Sequence, residues 1–154
     1  MQNTFSNETK QQFVEAISHL NSKLSKKFLY KSSSDTTATH YSRNDGMKTV
    51  TKKDYGKTGY IGRHIGHLHS SGKYVIDSDL IINSYYPLSN SGKSGTYDIK
   101  SIFVHEMAHA LRVGHSENSN DVMYDSATMG STKGRTLTSN DISALKASTK
   151  RWFK

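Results

Sequence analysis

Cysteine is absent from this sequence of 154 residues. That excludes disulfides, thiolate metal ligands and thiol nucleophiles within the chain, and says little about compartment. Proline occurs once, so turn-making falls to the 11 glycines and to Asn, Asp and Ser. Hydrophobic residues are scarce at 33%, which points to a modest core with many polar loops while staying above the disordered regime. No apolar run approaches the roughly 20 residues that span a bilayer, so no transmembrane segment is expected. The start, MQNTFSNETKQQ, has neither a basic nor an apolar leader region, and no signal peptide is expected in it. The length suits one compact domain over 1–154, with residues 1–8 as a flexible tail, and is too short for two ordinary domains.

What the chain has in excess is positive charge, formally +8 with a pI near 9.6. A soluble basic surface is the plain reading. The sharper one is attraction to a polyanion: an anionic cell wall, a membrane surface or nucleic acid. The lysines occur along the whole chain rather than in one block, and no nucleic-acid-binding signature is present, so nucleic acid is not expected as a partner.

Phe13, Ile17, Leu20 and Leu24 recur at helical steps and predict an amphipathic helix over 9–27. Phe28–Tyr30 is a short strand candidate. Residues 31–60 carry only weak strand signals, near Thr37–Tyr41 and Met47–Thr51. Lys73–Tyr86, KYVIDSDLIINSYY, is rich in β-branched and aromatic residues and predicts a strand with one buried face. Helical spacing returns from Asp98, a candidate cap, to Val113, with Ile102, Met107, Ala110 and Leu111 as core candidates. Residues 114–137 have no period and read as an extended loop. Thr138 and Asp141 form a T-x-x-D capping signal for a last helix that turns Ile142, Leu145 and Trp152 inward.

Residues 105–115 read HEMAHALRVGH. His105 and His109, four apart on a helix, project from one face, so both imidazoles can reach one zinc ion. Glu106 lies about 100° round the helix, beside such a metal without being a ligand. His115 follows His109 by six positions; on a continuing helix it would lie about 240° round and about 9 Å along. It can be a third ligand only if the helix stops after about Leu111 and the chain turns back, which Gly114 favours.

The spacing H-E-x-x-H-x-x-x-x-x-H, followed by Met123 in DVMYD, resembles the metzincin zinc metallopeptidases. Within them it is most similar to the matrixin branch, of the bacterial kind: Ser116 follows the third His, the methionine lies in a V-M-Y context, and LTSNDISAL resembles the start of the matrixins' last helix. The likeness is close over about residues 98–150 and holds only in outline before that. It implies an α+β fold, a single catalytic domain whose twisted, mostly parallel sheet has an edge strand at the cleft, with an active-site helix and a C-terminal helix. It implies one catalytic zinc on His105, His109 and His115, Glu106 as general base, and Met123 as the Met-turn beneath the metal. It implies a polypeptide substrate paired along the strand in 73–83, so that Val75, Ile76 and Asp77 would bind substrate, with Tyr124 in the wall that follows Met123. A monomer outside the cell or at its surface is the matching expectation. One departure stands out: the family's usual glycine between the second and third His is Arg112 here, at a turn that wants a positive φ.

Other residues carry weaker signals. His64, His67 and His69 in RHIGHLH could hold a second zinc, but the family's structural-zinc pattern is not matched and solvated loop histidines are the preferred reading. Asp77 and Asp79 share a strand face and could help bind structural calcium, with polar surface near the substrate preferred. His19 and His40 have no partner in sequence. Two rival classes stay open: a non-catalytic zinc-binding or cell-surface-binding module on the same fold, against which the intact Glu106 argues, and a basic binding protein with incidental histidines.

Overall fold

The computed structural model describes residues 1–32, 34–37, 45–72 and 75–150. His40 and Trp152, and residues 38–41 of the first weak strand signal, lie outside them. The apolar stripe becomes α1, Asn7–Ser22. Ser6 caps it, its Oγ accepting the Thr9 N–H at 3.2 Å, and Glu8 sets a negative charge among the unsatisfied N–H groups of the first turn. Phe13 meets the fully buried Phe103 edge to face at 5.2 Å. The helix ends at Ser22 instead of Lys27, and Phe28–Tyr30 is not a strand. Asn21 is the reason. Its side chain accepts the N–H groups of Phe28 (3.0 Å) and Leu29 (3.2 Å) and donates to the Leu29 carbonyl (2.8 Å). The chain folds back on the helix end, and the backbone groups a strand would need are satisfied locally.

The flexible tail expected over residues 1–8 is packed. The Gln2 N–H donates to the Val50 carbonyl at 2.8 Å, Gln2 bridges Thr36, and Met1 and Phe5 are buried, with Phe5 lying 6.4 Å from Phe103. Apolar burial at both positions outweighs the entropy that frays an unanchored end.

Three strands form the main sheet: β1, Val50–Lys53; β2, Gly62–Leu68; and β3, Val75–Asn83, in the order β1-β3-β2. β1 runs parallel to β3, with Val50 opposite Leu80. β2 runs antiparallel to β3, with Gly62 opposite Ile82 and His67 opposite Asp77. The fold is α+β with a mixed sheet, and within this main sheet only β1 and β3 pair in parallel. The link between β2 and β3 is too short for a crossover, so those two strands can only pair antiparallel.

This topology corrects the placing of the edge strand. The segment predicted at the cleft edge is the central strand, and β2 is the edge; Lys73 and Tyr74 lie outside the described residues. Val75, Ile76 and Asp77 therefore do not offer a free edge to substrate. Asp77 and Asp79 are buried rather than polar surface. Asp77 accepts the Asp45 N–H at 3.1 Å, and Asp79 accepts the Thr49 N–H at 3.0 Å and its hydroxyl, so both tie segment 45–49 to the sheet. Burial pushes the Asp79 carboxyl above its ordinary range.

A small parallel pair, β4 (Leu88–Ser89) and β5 (Tyr97–Asp98), leads into α2, Ile99–Ala110. Asp98 caps α2 as its sequence position predicts, accepting the Ser101 N–H at 2.9 Å. Ile102, Phe103, Val104, Met107, Ala108 and Leu111 are buried; Ala110 is only half-buried. β2 packs closely on α2 because Gly62 has no side chain. A Cβ there would stand 2.4 Å from Ile102 Cγ2 and 2.9 Å from Glu106 Oε1. The last helix, α3, spans Ser139–Lys150, with Leu145 buried and Ile142 partly so. Its capping box is formed as read: the Asp141 N–H donates to Thr138 Oγ1 at 3.2 Å, and the Thr138 N–H to Asp141 Oδ2 at 2.9 Å. Among the described residues no helix is long and apolar enough to cross a membrane.

Candidate active site

The site begins where α2 ends. The Val113 N–H bonds the Ala108 carbonyl at 3.0 Å and the Arg112 N–H bonds the His109 carbonyl at 2.8 Å, a Schellman closure. Its left-handed position is Arg112, with φ 64°, the one non-glycine at positive φ among the described residues. The backbone turn is therefore made despite the side chain, and the chain reverses at Arg112, three residues after His109. Arg112→Gly is expected to raise stability by up to about 1 kcal/mol. The gain is reduced by loss of the bond from Arg112 Nη1 to the Gly72 carbonyl at 3.2 Å. A urea titration should show a higher midpoint; a lower one would mean that the clasp to Gly72 outweighs the strain.

Beyond the turn, the Ser116 N–H donates to the Met123 carbonyl at 2.8 Å, closing a loop that brings His115 beside Val122 and Met123. His105 Nδ1 lies 2.8 Å from the Val122 carbonyl and His109 Nδ1 lies 2.7 Å from the Val113 carbonyl. A carbonyl only accepts, so each Nδ1 carries the proton and each Nε2 of a neutral ring is bare. Those bare nitrogens converge. His109 Nε2 is 3.1 Å from His105 Nε2 and 3.1 Å from His115 Nε2. Two ligands at 2.0–2.1 Å from a tetrahedral ion lie about 3.3–3.4 Å apart, so the triad fits zinc. Burial lowers the basicity of His105, to about 4, and that of His109, which keeps both lone pairs available. Among the described residues no second group of three or more such side chains converges.

Val122 and Met123 are held from α3. The buried Asp141 accepts the N–H groups of Val122 (2.9 Å) and Met123 (3.2 Å), in addition to capping α3. Asp121 accepts from Ser116 Oγ (2.6 Å), Thr138 Oγ1 (2.7 Å) and Asn140 Nδ2 (3.0 Å), which holds its carboxyl below the usual range. Met123 itself is buried.

Glu106 is buried between α2 and β2. Burial pushes its carboxyl up to about 7, against the pull of the His64 backbone N–H and the Arg63 charge. It opens with the three histidines onto a cleft of about 760 Å³, bounded by Gly62–His64 of β2 on one side and by residues 119–134 on the other. β2 pairs only with β3 among the described strands, which leaves its other edge unpaired, and its first three residues, Gly62–His64, line this cleft.

Tyr124 lines the cleft; Val75, Ile76 and Asp77 do not. The histidines read as loop residues lie on or next to β2. His64, partly buried, meets Ser78 Oγ at 2.9 Å and lines the cleft. His67 faces Asp77 in register, and His69 follows the strand end. His19, without a partner in sequence, accepts the Leu137 N–H at 3.2 Å. The cleft wall that sequence reasoning missed is β2 itself. RHIGHL shows no clean alternation, because both of its faces are half-exposed.

No curated protein matches the chain closely enough to count as a relative. The family model described as Matrixin matches residues 2–148, reaching far ahead of the motif that first suggested it. With that match over nearly its whole length, the chain belongs to the matrixin family of metzincin metallopeptidases.

Proposed function

We propose that this chain is a zinc-dependent endopeptidase that hydrolyses internal bonds of extended polypeptides, with Glu106 as general base. The observation that carries the reading is the convergence of three imidazole nitrogens beside a buried carboxyl and a strand with an unpaired edge at the cleft. His105, His109 and His115 would hold the zinc. When bound, zinc supplies Lewis acidity, acidifying water and polarising a carbonyl. The protein's own groups do the rest. The Val122 and Val113 carbonyls fix the two ring orientations. The Glu106 carboxylate takes the proton of the attacking water and returns it to the leaving amine nitrogen. The edge of β2 pairs with an extended chain, aligning it through backbone bonds that are indifferent to sequence. Tyr124 and the residues after it wall the pocket beyond the scissile bond, above Met123 as the Met-turn. Location outside the cell, and a monomeric state, belong to the same proposal and rest on the family alone.

Elemental analysis should find one zinc per chain, reduced to background in His109→Ala. A library of internally quenched peptides should be cut at internal positions, with cleavage lost on chelation and regained with zinc. Zinc-loaded protein that cuts no peptide would favour the non-catalytic module, and cuts confined to terminal residues would overturn the open-cleft geometry.

A further inference from the structure

The formal charge of +8 is unevenly placed, although lysines occur throughout the chain. Residues 16–34 contain Lys23, Lys26, Lys27 and Lys31 and no acid; residues 142–154 contain Lys146, Lys150, Arg151 and Lys154 and no acid. The rest of the chain holds 13 basic and 13 acidic residues, so these two segments account for the whole excess.

The fold brings their described parts together. Leu24, Ser25 and Phe28, just past α1, line one groove of about 240 Å³ with Lys146, Thr149 and Lys150 of α3. Lys27, Lys146 and Lys150 are exposed. Tyr30 is 74% exposed, and its hydroxyl donates to the Lys27 carbonyl at 3.0 Å. Lys31 is answered by Asp35 at 3.3 Å, whereas Lys23, Lys27, Lys146 and Lys150 have no ion pair among the described residues. None of the groove's residues lines the catalytic cleft.

Unanswered like charges repel one another, and a fold has no internal reason to gather them on one face. The apolar groove distinguishes the occupants. A nucleic acid or wall polymer would engage the charges but make no use of the partly buried apolar floor formed by Leu24 and Phe28. An anionic bilayer uses all of them: lysine stems lie on apolar surface with their heads at phosphates, and tyrosine settles at headgroup level. We propose that this face, formed by the segment just past α1 and the last turns of α3, docks the protein on an anionic phospholipid surface. The inference does not depend on the peptidase reading.

Co-sedimentation with vesicles tests it. The protein should bind vesicles of equal parts phosphatidylcholine and phosphatidylglycerol, should ignore phosphatidylcholine alone, and should release with salt. The triple variant K27E/K146E/K150E should bind at least about 100-fold more weakly, at roughly fivefold per lysine near such a surface. Its circular dichroism and zinc content should be unchanged. Tyr30→Ser should weaken vesicle binding severalfold while leaving binding of soluble polyphosphate as it was. Absence of phosphatidylglycerol-dependent binding, or full binding by the triple variant, overturns the proposal. Binding of polyphosphate without binding of vesicles overturns it in favour of a plain polyanion site.

Discussion

Glu106→Gln is expected to lower the rate of internal peptide-bond hydrolysis by about 10²–10⁴-fold while leaving zinc content and stability close to wild type. Glutamine keeps the size of the side chain and one acceptor oxygen, so the packing of α2 on β2 beside Gly62 survives. What it removes is a group able to take and return a proton. The loss should fall on kcat, since proton transfer belongs to the transition state. Zinc should be measured in both proteins and hydrolysis compared on the same quenched peptides. Equal rates in wild type and variant would remove Glu106 from the mechanism, and with it the clearest distinction from a binding module.

Asp141→Ala is expected to cost about 3–5 kcal/mol of stability, a large share of the 5–15 kcal/mol typical of a small domain. Asp141 is buried and accepts three backbone N–H groups, those of Val122, Met123 and Thr138. The buried N–H groups of Val122 and Met123 left without an acceptor cost about 1–3 kcal/mol each, partly recovered where water reaches them, and loss of the cap at Thr138 adds about 1 kcal/mol. A second consequence follows from connectivity. The Val122 carbonyl orients His105, so loosening Val122 should weaken zinc binding by about 10–100-fold. Urea unfolding gives the first quantity and competition against a chelator the second. A variant that loses stability but binds zinc as tightly as wild type would show that the loop holds His105 without help from α3.

The parts legible in sequence share one physical property: each is decided by residues a few positions apart. The i, i+4 pair His105 and His109, the caps at Asp98 and at Thr138 with Asp141, and the reversal at Arg112 are all local geometry. The turn could be placed because His115 has no use on a continuing helix, and the backbone takes a left-handed angle there even without glycine. Asn21 misled the reading because its effect, ending α1 and capturing Phe28 and Leu29, needs the chain to return first.

The sequence by itself determined which side chains meet at the site, and in what order helix, turn and loop present them. Only the tertiary structure decided what depends on pairing between distant segments. It made β2 the strand at the cleft and placed β3 in the centre, because a strand is central only when other segments pair along both of its edges, which its own hydrophobic content does not decide. It turned Asp77 and Asp79 inward to hold segment 45–49 and packed Met1 and Phe5 against the core. It also set two acid-free segments, more than a hundred residues apart, side by side at one groove, a juxtaposition that no local rule contains.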